Sequence, residues 1–316
     1  MLKITPDYVS ANKKLSLDQI NDLEMHSFIN LMNVIYSQLE LLLMDDEGNL
    51  YLKEALAQTR GLLDEIRSGK LDGFLPKHVL EYKNTVRRTL HSIEKKAGDA
   101  ETMEEIREAR SLLEYIFSIL DVRLEELYKR IPDPDEWLRI CLDDFRNEHD
   151  TYFDTLEKNS KGRFRIVRDA AHKREDDYLV EMDITSGNGS TIAMPLLFKD
   201  VIRDLISNAR KYTPPGGTIR IGIQQQQEHL RCIVSDTGIG IPKEELPLVF
   251  EYGYRASNTG DIRTMGGGFG LTKALHVVRH FKGDLWIDSE PDKGTTITIE
   301  LPLPRSIRIQ KNEKKI

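Results

Sequence analysis

Apolar residues recur at helical spacing across residues 16–44, at Leu17, Ile20, Leu23, Phe28 or Ile29, Leu31, Met32, Ile35, Leu39, Leu42 and Leu43. The spacing predicts one long amphipathic helix. Ser16-Leu17-Asp18-Gln19 predicts where it starts, because Gln19 stands three residues after Ser16, as a capping box requires. Residues 45–49 break the stripe, and Leu52, Ala55, Leu56, Thr59, Leu62, Leu63 and Ile66 mark a second helix over 50–68. A break at 69–76 precedes two more helical segments, 77–96 and 102–129, the latter carrying Ile106, Ala109, Leu112, Leu113, Ile116, Phe117, Leu120, Leu124 and Leu127. Hairpins of this kind bury their stripes only against further helices.

Ile131-Pro132-Asp133-Pro134 ends the helical region, since two prolines stop a helix and stiffen the link. A further helix is predicted over 135–156. From Gly162 onward the runs shorten and gain β-branched residues, predicting strands at 164–167, 178–184, 218–223, 230–234, 284–287 and 295–301. Helical patterns at 195–212 and 271–281 lie between them, which gives a mixed α/β sandwich with helices on one face. The chain therefore reads as α+β, with a helical hairpin at 1–72 and a second hairpin at 73–133 that form an all-α region, either closing a four-helix bundle within one chain or pairing with a second copy, then an α/β domain at 134–305 and a polar tail at 306–316.

Composition narrows this picture only a little. The 316 residues suffice for two domains, and 39% hydrophobic with 31% charged residues is the make-up of a soluble globular chain. A net charge of -7 gives no reason to expect a nucleic acid or an anionic membrane surface as partner. Cys141 and Cys232 lie inside hydrophobic patterns without metal-ligand neighbours, so both read as buried thiols in a reducing compartment. With no signal-like N-terminus and no run near about 18 uninterrupted apolar residues, the expectation is a cytoplasmic protein without direct membrane insertion. Asn188-Gly189-Ser190 is then only a loop.

The candidate chemistry begins at Asp236-Thr237-Gly238-Ile239-Gly240, directly after the apolar run 230–234. A carboxylate at a strand end can accept a hydrogen bond from an exocyclic amine, and glycines let the backbone approach a flat ring. In isolation an ordinary Asp-Thr-Gly turn explains the same residues. Upstream, Asp204 and Asn208 are four apart on a predicted helix and share a face, polar where the pattern predicts burial. Such a pair can hold Mg2+ or its waters beside a phosphate chain that Lys211 reaches as a point charge. Downstream, Gly266-Gly267-Gly268-Phe269-Gly270-Leu271 runs straight into a helix, offering bare N–H groups and the positive dipole end to an anion. The polar stretch 250–265 between them has the composition of a mobile lid.

Together these segments resemble the ATP-binding GHKL (Bergerat) domain shared by histidine kinases, gyrase B, Hsp90 and MutL. The boxes Asn208-Ala209-Arg210-Lys211-Tyr212-Thr213, Asp236 to Gly240, Phe250-Glu251 and Gly266 to Leu271 occur in that family's order over about residues 195–302. The resemblance implies that Asp236 binds the adenine amine and that Asn208 holds Mg2+. Lys211, Gly266, Gly268 and Gly270 would contact the phosphates, with Tyr212, Gly238, Gly240 and Leu271 completing the ATP site and 252–265 as its lid. Asp204 stands where those kinases often carry Asn or Glu, which leaves open a slow hydrolysis with Asp204 as base.

His26, in Met25-His26-Ser27-Phe28-Ile29-Asn30-Leu31-Met32-Asn33, is similar to the phosphoacceptor of histidine kinases of the His-Asp-Phe-Asn-Asn type. An imidazole nitrogen is nucleophilic at neutral pH and its N–P bond is labile. Asn30, one turn later, would face the same site. This chain departs from the family at Ser27, where an acid usually follows the His; Asp22, four residues earlier, could take over proton removal. The resemblance implies a histidine kinase that autophosphorylates on His26 and passes the group to a response-regulator receiver domain, acting as a homodimer. Two other readings stand beside it: a kinase-impaired phosphotransfer or nucleotide-controlled scaffold, and a serine kinase of the dehydrogenase-kinase type. His78 and His91 lack such context and are expected at the surface.

Overall fold

The computed structural model describes residues 2–4, 15–45, 48–70, 75–130, 133, 135–160, 162–187, 189–260, 267–305 and 307. They form two compact units, Leu15–Asp133 and Met1–Lys14 with Pro134–Ile316. Of the Ile-Pro-Asp-Pro segment only Asp133 lies within the described residues.

The helical unit consists of α1 (Leu17–Asp45), α2 (Leu50–Arg67), α3 (Pro76–Glu94) and α4 (Ala100–Arg130). α1 begins with the reciprocal capping box: the Gln19 N–H donates to Ser16 Oγ at 3.2 Å and the Ser16 N–H to Gln19 Oε1 at 3.0 Å. Asn49 starts α2, its side chain accepting from the N–H groups of Tyr51 and Leu52. α1 packs on α2 and α4, and α3 packs on the same two helices, so four helices close a ring within one chain. The ring encloses one core, with Met32, Ile35, Leu39, Leu52, Ala55, Ile66, Val86, Leu90 and Leu113 all fully buried. Three interhelical ion pairs tie α3 to α4: Lys83–Asp121 at 2.6 Å, Arg87–Glu114 at 2.7 Å and Arg110–Glu94 at 2.6 Å. His78 and His91 are exposed.

A buried hydrogen bond, Thr59 Oγ1 to Tyr82 OH at 2.8 Å, joins α2 to α3, and burial pushes the Tyr82 phenol well above its ordinary pKa. Tyr82→Phe is expected to cost about 1 kcal/mol, since the Thr59 hydroxyl keeps its bond to the Ala55 carbonyl at 2.7 Å. Leu113→Ala, which opens a cavity at a fully buried position, should cost about 2–5 kcal/mol. Urea melts followed by helical circular dichroism would rank the two.

Met25–Met44 of α1 is long and apolar enough by composition to cross a membrane. Its Met25, Phe28, Met32, Ile35, Leu39 and Leu42 belong to the bundle core, and Asn30, Asn33, Ser37, Gln38 and Glu40 interrupt the apolar run.

The α/β unit contains β1 (Leu2–Lys3), β2 (Trp137–Cys141), α5 (Leu142–Asn159), β3 (Ile166–Val167), β4 (Tyr178–Ser186), β5 (Thr191–Pro195), α6 (Leu196–Tyr212), β6 (Thr218–Gln225), β7 (His229–Asp236), α7 (Gly270–His280), β8 (Asp284–Glu290) and β9 (Gly294–Pro302). The predicted helix over 135–156 starts late. Residues 137–141 instead pair antiparallel with β5, Leu138 opposite Met194 and Ile140 opposite Ile192, because β5 supplies a partner edge that no local pattern reveals. Cys141 at its end is half-buried, whereas Cys232 is buried as expected.

The remaining strands form a seven-stranded sheet in the order β1-β8-β9-β7-β6-β4-β3. β4 is parallel to both β3 and β6, and the other pairings are antiparallel. α5 lies against β3 and β4, α6 against β6 and β7, and α7 against β8 and β9. Alternation along β6 shows which face is covered: Ile219, Ile221 and Ile223 are buried, while Arg220 is exposed and pairs with Glu181 on β4.

Candidate functional site

Asp236 is the last residue of β7, in the middle of the sheet, opposite Ile219 of β6 and Thr295 of β9. Its Oδ1 accepts from the Gly238 N–H at 2.8 Å and the Thr295 N–H at 3.3 Å. Among the described residues nothing bonds its Oδ2. Burial raises its carboxyl from the ordinary 3.8 to about 6, against the downward pull of those two N–H groups. A half-buried carboxylate with one oxygen left over suits a ligand that brings its own donor.

The loop after Asp236 is clamped from two sides. The Ile239 N–H donates to the Tyr212 carbonyl at 3.0 Å, so the end of α6 holds the loop's back. A Cβ on Gly238 would stand 2.4 Å from that carbonyl oxygen. Gly240 has φ +63, and a Cβ there would fall 2.0 Å from the Glu290 carbonyl oxygen, so neither position admits a side chain.

α6 brings the second box to the same end of the sheet. Gly270, at the start of α7, lies so near Asn208 that an added Cβ would meet Asn208 Nδ2 at 2.9 Å and Asp204 Cβ at 3.6 Å. α7 has no side-chain cap, so its leading N–H groups are available at the corner where Asn208 sits. Leu271 packs on the main core behind that turn. Burial lowers the Lys211 ammonium below the ordinary lysine range; Asp204 opposes that shift and Arg255 reinforces it. A desolvated ammonium beside an arginine is a site that gains from an anion.

Gly268 has φ +76, and its approach to the Tyr254 carbonyl leaves no room for a Cβ. Gly266, like the rest of 261–266, lies outside the described residues. The described part of the proposed lid is tied down at two points. Asn258 Nδ2 donates to the Gly240 carbonyl at 3.0 Å, and Glu245 accepts from the Tyr254 hydroxyl at 2.9 Å and the Ser257 N–H at 2.8 Å.

Sequence reasoning missed Lys273, Arg255 and Asn258. Lys273 is 1% exposed, with its Nζ 3.2 Å from Asp204 Oδ2. Its signal was a charged residue inside the apolar repeat Leu271, Ala274, Leu275, Val277 and Val278. Arg255 and Asn258 carry no local signal beyond lying in a polar stretch.

ATP fits these residues: Asp236 offers an acceptor for the adenine amine, Gly238 and Gly240 keep the backbone clear, and Lys211 with the α7 N-terminus supplies positive charge. No group of three or more His, Cys, Asp or Glu among the described residues could hold a metal by itself.

His26 and Asn30 lie on α1 in the other unit, one turn apart. Asn30 Nδ2 is 2.9 Å from His26 Nε2, so the amide donates to the ring nitrogen and the imidazole proton sits on Nδ1 in this arrangement. His26 is only 7% exposed. The Ser27 hydroxyl next to it is buried with no hydrogen-bond partner among the described residues.

Comparison with known proteins locates the resemblance in the α/β unit. The family described as histidine kinase-, DNA gyrase B- and HSP90-like ATPase matches residues 194–305. Sensor histidine kinase WalK of Bacillus subtilis (strain 168) is 43% identical over 104 residues, covering 32% of this chain and 17% of WalK. The adaptive-response sensory kinase SasA of Nostoc sp. (strain PCC 7120 / SAG 25.82 / UTEX 2576) is 35% identical over 125 residues, 39% of this chain and 31% of SasA. The solved catalytic domain of histidine kinase ThkA overlaps 53% of this chain and 95% of its own, at 18% identity and a TM-score of 0.39. The matches thus span under a third of the two curated relatives. With Asn208, Asp236 and the Gly268–Gly270 turn gathered at one end of its sheet, the stretch 194–305 is an ATPase domain of the histidine kinase-, DNA gyrase B- and HSP90-like family.

Proposed function

We propose that this chain is a cytoplasmic histidine kinase that moves the γ-phosphoryl group of Mg-ATP to His26 and then to an aspartate on a response-regulator receiver domain. The observation that supports it best is the joint presence of the Asp236, Asn208, Lys211 and α7 site with a helix whose histidine nitrogen is already held by Asn30. In the transfer, the N–P bond forms as the bond from γ-phosphorus to the bridging oxygen of ADP breaks, and the imidazole gives up its proton. Asp22, one turn before His26, is our candidate to receive that proton in place of the acid that Ser27 replaces. Positioning and charge neutralisation are the protein's main tasks in such a step. When bound, Mg2+ would neutralise charge on the transferring phosphates, with Asn208 as its protein ligand.

The dimer that the resemblance implies is made by pairing α1–α2 hairpins. In this chain α3 and α4 already cover that face, so we place contacts with a second copy on an outer face of the ring. A second functional reading, a nucleotide-controlled scaffold with impaired transfer, draws on the near-complete burial of His26 and on Ser27.

Incubation with γ-labelled ATP separates the readings. The kinase should acquire label that is lost in acid and kept in alkali, and His26→Gln should acquire none. Unlabelled wild-type protein, at any Mg2+ concentration, would leave the scaffold reading standing. Acid-stable label would point to a hydroxyl acceptor instead.

A further inference from the structure

Beneath the Asn208 corner lies a buried network that the ATP site as described does not use. Lys273 on α7 is 1% exposed, and its Nζ stands 3.2 Å from Asp204 Oδ2 and 3.8 Å from Asp200 Oδ2. Asp200 also pairs with Arg203 at 3.0 Å; Arg203 in turn meets Glu148 of α5, as does Lys199 at 2.7 Å. Among the described residues, the cations Lys199, Arg203 and Lys273 face the anions Glu148, Asp200 and Asp204. The contact at Asp204 is ionic rather than a well-directed hydrogen bond: neither Lys273 Nζ nor Asp204 Oδ2 has a directed partner among the described residues. An ammonium this deep is sustained only by its carboxylates.

Asp204 is where the network meets the nucleotide site. It is one turn before Asn208 on α6, its Cβ lies beside Gly270 at the start of α7, and its charge acts on Lys211. We propose that Lys273 is a positioning residue for the ATP site: it holds the Asp204 carboxylate down and cancels its charge, so that the Asn208–Lys211 corner can accept a polyphosphate. The inference rests on the ATP-binding reading above. Without Lys273, Asp204 would present an uncompensated negative charge to the phosphates and a ready ligand to their cation.

The effect therefore has a signature that general loosening of the fold would not produce. Lys273→Met should bind ATP in EDTA about tenfold more weakly than wild type, the scale expected for one unbalanced charge near the ligand. Its Mg2+-ATP affinity should fall less, so the ratio of the two affinities rises. Lys273→Met/Asp204→Asn should bring the ratio back to the wild-type value. Asp204→Asn alone, which leaves the ammonium in excess, should shift the ratio the opposite way and serves should Lys273→Met fail to fold. Equal weakening of both affinities in Lys273→Met, or an unchanged ratio in Asp204→Asn, would overturn the proposal. Wild-type protein that binds no ATP at all would instead refute the reading of the site.

Discussion

Asp236→Asn should lower ATP affinity about a hundredfold or more while leaving the nucleotide-free domain folded. Hydrogen bonds to a charged acceptor contribute about 1.5–3 kcal/mol, or roughly 10- to 150-fold. The asparagine keeps one oxygen, which the N–H groups of Gly238 and Thr295 already use. The group left to face the adenine amine is then an NH2, so donor meets donor and the loss lies at or beyond the upper end of that range. Folding should not suffer. The Asp236 carboxyl is raised to about 6 by burial, so in the folded chain the charged form is disfavoured. A raised folded value contributes stability that is full below the ordinary 3.8 and is lost as pH rises through about 6. Neutral asparagine removes that burden, and Asp236→Asn should melt at or above the wild-type temperature near pH 8.

The same shift sets the pH dependence of wild-type binding. Well above pH 6 the carboxylate is ionised and ATP affinity should level off; as pH falls through about 6 the acceptor is progressively protonated and affinity should drop. Titration calorimetry with ADP across pH 5–8 reads both effects. Asp236→Asn should lose the pH dependence along with the affinity, and wild-type affinity that stayed constant down to pH 5 would remove Asp236 from the adenine contact.

Gly294→Ala should be among the most destabilising single changes in the α/β unit. Its φ is +101, and a Cβ would stand 1.9 Å from the Asp236 carbonyl oxygen and 2.7 Å from its carbon. Backbone on a central strand cannot step aside as a flexible side chain can, so β9 must lift from β7 where Thr295 faces Asp236. We expect a loss on the order of 3 kcal/mol or more, and a melting temperature lower by about 10 °C for a unit of this size. Gly162→Ala is the control. Gly162 also has a left-handed φ, +80, but nothing lies within 4 Å of its Cβ position, so only the intrinsic conformational cost of about 1–2 kcal/mol applies. Similar melting temperatures for the two variants would mean that the β9–β7 junction yields more easily than its geometry indicates. Gly294→Ala should also weaken ATP binding, because the Thr295 N–H that orients Asp236 moves with the strand.

Much of this protein is legible in its residues because the signals are local. The 3.6-residue repeat of α1, the Ser16–Gln19 box, the alternation of Ile219, Ile221 and Ile223, and the glycines at 238, 240, 268 and 270 each describe what a short segment does with itself. They were enough to place Asp236 at a strand end, Asn208 on a helix and a glycine turn before α7, as the structure has them. Tertiary structure decided whatever depends on a distant partner. Residues 137–141 read as helix until β5 offered them an edge. The helical stripes left open whether the two hairpins close on each other or on a second copy, and the structure has them closing on each other within the chain. Lys273 looked like a misplaced charge on an apolar helix; only the packing of α7 on α6 set its ammonium beside Asp204 and gave it a reason to be buried. Spacing along a chain encodes periodicity and backbone freedom, whereas pairing of edges, closure of cores and neutralisation of buried charge are fixed only when remote segments meet.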